Sequence, residues 1–233
     1  IPKAGIAGLL LLVAWSLMDT RAWSRLWRLD RAEAVVAGAT FAGMLVLRLE
    51  SAILLGTVGS LVLYLYRTSR PAMRVMGFRP GDPARRFVVR QDVDDALPEC
   101  PQLRLLRMEG PIYFGAAAHV QEQLASLRRA DAATTASLDP PISPPRAPAH
   151  LLVMAKSMNS LDLAGAQVWE EELATRRAAG GDLWFHRPRP QVMDLWRRTG
   201  FLARLGEDHV LPDKRSAIAR IVHEVDADVC RRC

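Results

Sequence analysis

A hydroxyl, a carboxylate and a glycine stand together in Ser160-Leu161-Asp162-Leu163-Ala164-Gly165, just ahead of a helix-like pattern. A carboxylate there can cap the helix by accepting hydrogen bonds from its first amides. The same amides can instead hold an anion or a nucleotide phosphate. Asp162 reads first as the cap, and Ser160, Asp162 and Gly165 are kept as a possible ligand or partner contact. His119, His150, His186, His209 and His223 show no metal-ligand spacing, so no metal site is expected. Cys230-Arg231-Arg232-Cys233 is a C-x-x-C at the chain end, and Cys100 adds only one thiol. A redox or metal role needs a structured helix start or a second pair, so residues 227–233 read as a tail. There is no glycine-rich phosphate loop and no nucleophile elbow. The expectation is no catalytic residue, no cofactor and no enzymatic activity.

Two further groups are charged. Arg187-Pro188-Arg189-Pro190 follows an apolar stretch and reads as a strand-to-helix turn, not a nucleic-acid patch, since it has no interleaved aromatics. Arg48 and Glu50 sit in a three-residue break between two uncharged runs. A charge pair at such a tip can mark a functional site in a membrane or stand in interfacial water, the preferred reading.

The elements that position these residues fall into two parts. The chain has 233 residues, 50% of them hydrophobic, and a net charge of +6. Residues 1–75 carry net +5 and residues 76–233 only +1. The basic first third also holds three uncharged runs, 4–18, 34–47 and 51–66. Three such runs without a polar face cannot all be buried in a soluble fold of this size, and arginine-bordered apolar runs are a membrane pattern. Each is shorter than the ~20 residues of a straight span, which suits helices within a larger bundle. Gly38, Ala39, Ala42 and Gly43, then Gly56, Gly59 and Ser60, offer small surfaces for close helix packing. Arginines precede the 34–66 hairpin at 21, 25, 28 and 31 and follow it from 67 onward, which places both flanks in the cytoplasm. The chain opens on Ile1, not Met, so it is expected to start partway through a longer protein.

Residues 76–101 read as a linker broken by prolines. From 102 to 226 strand-like and helix-like stretches alternate. Strands are expected at 103–108, 112–114, 150–155, 183–185 and 209–211. Helices are expected at 116–129, 163–179, 191–199 and 214–225, the second with Leu163, Ala166, Val168 and Leu173 inward and Glu170–Glu172 outward and ending at Gly180-Gly181, the third stopping at Gly200. Five prolines make 131–149 a flexible insertion. This alternation predicts a mainly parallel sheet with helices packed against it.

In this order, the motifs resemble the sulfate permease (SulP) family of anion transporters. The closest are Arg67-Thr68-Ser69-Arg70-Pro71, Met108-Glu109-Gly110-Pro111-Ile112-Tyr113-Phe114-Gly115-Ala116-Ala117, the Ser160–Gly165 loop and the Gly200…Leu205-Gly206 segment. The soluble part is similar to a STAS domain, a module shared with bacterial anti-sigma-factor antagonists. The fold implied is α-helical transmembrane segments followed by a cytoplasmic α/β STAS domain. Residues 1–75 would be the last three spans of a transporter in the cell (inner) membrane. The resemblance implies secondary transport of a small inorganic anion such as sulfate or bicarbonate, a homodimer, and a regulatory STAS domain with a possible cytoplasmic protein partner. The anion site would lie in spans outside this sequence. In the antagonists a serine follows the loop aspartate and is phosphorylated. Leu163 and Ala164 stand there instead, so that modification is chemically excluded. The competing reading is a membrane-anchored STAS interaction module that transports nothing.

Overall fold

Asp19 and Asp30 divide the N-terminal region of the computed structural model into helices. The structure describes residues 3–17, 19–79, 81, 87–92, 100, 102–136 and 150–228. It falls into two units, Ile1–Tyr66 and Arg67–Cys233.

The first unit holds α1 (Lys3–Leu17), α2 (Thr20–Leu29), α3 (Arg31–Val46) and α4 (Leu49–Thr68), the last of which runs into the second unit. Asp19 Oδ1 accepts from the amides of Arg21 and Ala22, both at 3.0 Å, which starts α2. Asp30 does the same for α3 through Ala32 and Glu33, while its own amide closes the last turn of α2 on Leu26. Helices α3 and α4 form an antiparallel pair in which small residues meet. A Cβ on Gly43 would stand 3.6 Å from the Ala52 methyl, and one on Gly56 only 2.6 Å from Thr40 Oγ1. Thr40 cannot swing away freely, because it is β-branched and donates to the Val36 carbonyl at 2.8 Å. The small residues thus set the separation of the pair. Large apolar side chains face outward all around α1, α3 and α4: Leu12 is 72% exposed and Val46 84%. Leu49–Thr68 is long and apolar enough to cross a membrane, and so is the Ala4–Leu29 stretch through its α1 part, since α2 carries three arginines.

The second unit is a six-stranded mixed sheet in the order β2-β1-β3-β4-β5-β6. Its strands are β1 (Ala72–Phe78), β2 (Phe87–Val89), β3 (Leu103–Glu109), β4 (His150–Ser157), β5 (Leu183–His186) and β6 (Val210–Leu211). Strands β3 to β6 run parallel, and β1 lies antiparallel to both β2 and β3. The helices are α5 (Phe114–Ala136), α6 (Leu163–Ala178), α7 (Pro190–Thr199), α8 (Phe201–Leu205) and α9 (Lys214–Val222). Alternate residues of β4 serve opposite faces. Leu151, Val153 and Ala155 join the core that includes Trp169, Phe185 and Trp196; Leu152 and Met154 join Trp184, Leu211, Ala217 and Ile221. Such two-sided burial requires the near-continuous apolar run of β4. Helix α6 ends as anticipated: Gly180 has φ +82°, and the Gly181 amide donates to the Arg176 carbonyl at 3.0 Å. Helix α7 likewise ends at Gly200, with φ +73°.

Several elements differ from the sequence reading. The stretch read as a linker, 76–101, contributes β2 and the last three residues of β1, whose first four fall in the part read as membrane spans. They belong to the antiparallel edge, where only Met76 and Gly77 of β1 are buried and the apolar alternation is weak. Residues 112–114 form no strand: Ile112 makes a single parallel bridge to Leu161, and Phe114 already starts α5. Helix α5 runs to Ala136, into the stretch read as a flexible insertion; residues 137–149 lie outside the described residues. On α6, Ala166, Val168 and Leu173 are buried and Glu171 is exposed, as expected, but Leu163 is exposed and Glu172 is buried.

Candidate functional site

The loop after β4 is tied to the loop after β3 by backbone bonds. The Gly110 amide donates to the Ser157 carbonyl at 2.9 Å, and the Ile112 amide to the Ser160 carbonyl at 3.0 Å. The Asp162 amide returns to the Ile112 carbonyl at 3.2 Å. Gly110 has φ +97°, a conformation that favours glycine. A side chain on Gly165 would put its Cβ 2.6 Å from the Ile112 carbonyl oxygen, so only glycine lets α6 approach this closely.

Asp162 sits where the two loops meet. Its Oδ1 accepts from the Gly165 amide at 2.8 Å and its Oδ2 from the Phe114 amide at 2.8 Å. One carboxylate therefore caps α6 and also holds the first residue of α5. Two positive helix ends face it. An added anion would meet a fixed charge of its own sign there. Ser160 offers its carbonyl to the sheet-side loop and leaves its side chain exposed. Ser160, Asp162 and Gly165 are thus brought together, as the sequence suggested, by an architecture that consumes the carboxylate. Beside them, Phe114 and Leu163 stand 83% and 61% exposed.

Two ionic clusters were not anticipated. Glu172 and Arg176 are both buried on α6, bonded through Oε1 and Nε at 2.7 Å, and Arg128 of α5 reaches the other Glu172 oxygen. Their i,i+4 spacing is the signal in the sequence, but it equally describes a surface pair. At the sheet end, His209 lies between Asp182 and Asp208, with each ring nitrogen 3.0 Å from a carboxylate oxygen. Its ring stacks on Trp184 with centroids 4.0 Å apart. Burial alone would lower the His209 pKa; the two carboxylates outweigh it and raise it above 6.5. Asp182 is held below its ordinary value: burial works against the charge, but His209, the Leu183 amide and Arg177 favour it. His150 and His186 lie below 6.5, chiefly because burial disfavours their charged forms.

Arg48 and Glu50 are exposed at the turn between α3 and α4. Arg187 has φ +50° in the strand-to-helix turn, and Pro190 begins α7. Among the described residues no group of His, Cys, Asp and Glu gathers to hold a metal ion. Cys230 and Cys233 lie outside the described residues.

Comparison with known proteins agrees with this architecture. The STAS domain family matches residues 96–217. High affinity sulfate transporter 2 of Stylosanthes hamata is 23% identical over 219 residues, covering 94% of this chain and 32% of that protein. Sulfate transporter 1.1 of Arabidopsis thaliana is 23% identical over 224 residues, covering 96% and 33%. The chain thus spans about a third of the length of these relatives. The structure of SLC26A9 shares the fold, with a TM-score of 0.72 at 14% identity over 91% of this chain and 33% of that one. With just over half of its residues matched, the chain belongs to the STAS domain family, and over most of its length it is homologous to sulfate transporters.

Proposed function

We propose that this chain is the C-terminal part of a secondary transporter of small anions of the sulfate or bicarbonate type. The carrying observation is that similarity to sulfate transporters runs through both units, apolar helices and STAS domain alike, over 94% of the chain. A STAS interaction module alone would not need α1, α3 and α4 to resemble a transporter. In this reading those three helices are membrane spans of the cell (inner) membrane. At 15 and 16 residues, α1 and α3 are roughly 23 Å long, short of the ~30 Å hydrocarbon core. Neighbouring helices of a bundle would complete their surroundings, and their outward apolar side chains suit such neighbours or lipid. The arginine flanks put the STAS domain on the cytoplasmic side, where it serves dimerisation and regulation. The anion is bound by spans outside this sequence, and transport proceeds by movement of one membrane subdomain against the other. No bond is made or broken. The test is uptake of labelled sulfate or bicarbonate by liposomes carrying the full-length protein. Accumulation is expected, and no uptake of any small anion tried would overturn the reading.

A further inference from the structure

The apolar and basic residues of α2 separate onto two faces. Arg21, Arg25 and Arg28, at i, i+4 and i+7, form one stripe together with Ser24; Ala22, Trp23, Leu26, Trp27 and Leu29 form the other. Asp19 and Asp30 cap and bound the helix, so it is a distinct element between the apolar α1 and α3 and not a continuation of either. Trp23 fixes α2 against α3: its ring lies 3.7 Å from where a Gly38 Cβ would stand. Trp27 is 54% exposed on the same apolar side. Arg21, Ser24, Arg25 and Arg28 of the basic stripe, with Leu29 at the edge of the apolar face, line an open concavity of about 400 Å³.

We propose that α2 lies in the membrane interface and that its arginine stripe binds the headgroups of anionic phospholipids. This rests on the membrane reading given above. A basic face opposite a tryptophan-bearing apolar face is the pattern of an interfacial helix. Guanidinium groups on successive turns match phosphodiester oxygens in geometry as well as charge. A purely solvated face would not need two tryptophans on its reverse side, and a spanning segment would not carry three arginines in ten residues. The partner is a lipid surface and not a free anion, because the stripe is continuous with apolar helices on both sides.

The experiment uses full-length protein in micelles doped with equal amounts of phosphatidylglycerol and phosphatidylcholine, with retained lipids counted by native mass spectrometry. The parent should retain phosphatidylglycerol preferentially, at about fivefold per contributing arginine. The Arg21→Gln/Arg25→Gln/Arg28→Gln variant should lose most of that preference. Arg25→Lys should keep more of it than Arg25→Gln, which covers the case in which the triple variant folds poorly. Removing charge elsewhere, as in Arg197→Gln/Arg198→Gln on α7, should change nothing. An unchanged preference in the triple variant, or an equal loss in the α7 control, would overturn the proposal. So would displacement of the lipid by inorganic phosphate at constant ionic strength, which would make the stripe a small-anion site. Flotation on phosphatidylcholine vesicles separates the two claims. Failure of the parent to float at all sinks the membrane reading, whereas flotation without headgroup preference sinks only this inference.

Discussion

The Asp162 carboxylate accepts the Phe114 amide at 2.8 Å across 48 residues of sequence. Its other oxygen holds the Gly165 amide at the same distance, so a single side chain ties the starts of α5 and α6 to one point. Asp162→Ala should destabilise the chain by about 2 kcal/mol, since a lost cap costs ~1 kcal/mol and two helices lose one each. Asp162→Asn should cost less, because its one oxygen can still accept from one of the two amides. Thermal unfolding measures the cost, and faster hydrogen exchange at Phe114 and Gly165 locates it. An unchanged midpoint in Asp162→Ala would mean that the caps contribute nothing.

Glu172 and Arg176 are buried together, so each depends on the other. Glu172→Ala should cost about 3–5 kcal/mol, because it leaves Arg176 in the interior without its carboxylate. Glu172→Leu with Arg176→Met should recover most of that loss, since the buried pair becomes apolar side chains of similar volume and only the partly exposed Arg128 is left without its carboxylate. Denaturant midpoints of the single and double variants decide the matter. A double variant as unstable as Glu172→Ala would refute the argument.

His209 gives stability a pH dependence of known sign. Its folded pKa is above 6.5, so its contribution is fully present below 6.5 and is lost as pH rises through the raised folded value. His150 and His186 act oppositely: lowered in the folded state, they favour stability above 6.5 and withdraw it as pH falls through their own values. The difference in stability between the parent and His209→Gln isolates the first effect. That difference should shrink as pH rises past 6.5, and a difference that is flat or grows would contradict the Asp182–His209–Asp208 arrangement.

Gly56 sets the distance between α3 and α4. Gly56→Val would force a side chain against Thr40, which is locked by its bond to Val36. The expected cost is ~1–3 kcal/mol, read as a lower melting temperature in detergent. Thr40→Ala in the Gly56→Val background is the control, since it removes the nearest atoms that the new side chain meets. A double variant no more stable than Gly56→Val would remove the packing argument.

The sequence revealed those features that rest on local periodicity or on a cap. The apolar run at 150–155 gave β4, Gly180 and Gly200 gave helix ends, and Asp162 gave a cap. Features that depend on distant partners were hidden. Strand β1 pairs with β3 from across the stretch read as a linker and carries an arginine in its middle. The tie from Asp162 to Phe114 and the burial of Glu172 depend on α5 and α6 lying side by side, which no spacing states. The stripe of α2 was visible in its numbering, but the same arginines also serve to orient the spans, and that use concealed the helix.

The central claim is that the two units form the end of an anion transporter. Its most direct test is uptake of labelled sulfate and bicarbonate by liposomes carrying the full-length protein, beside liposomes carrying residues 1–233 alone. Accumulation with the full-length protein and only background with residues 1–233 is the predicted result. Full-length protein that inserts into the liposomes yet moves neither these nor any other small anion would contradict the account and leave a membrane-anchored STAS module in its place.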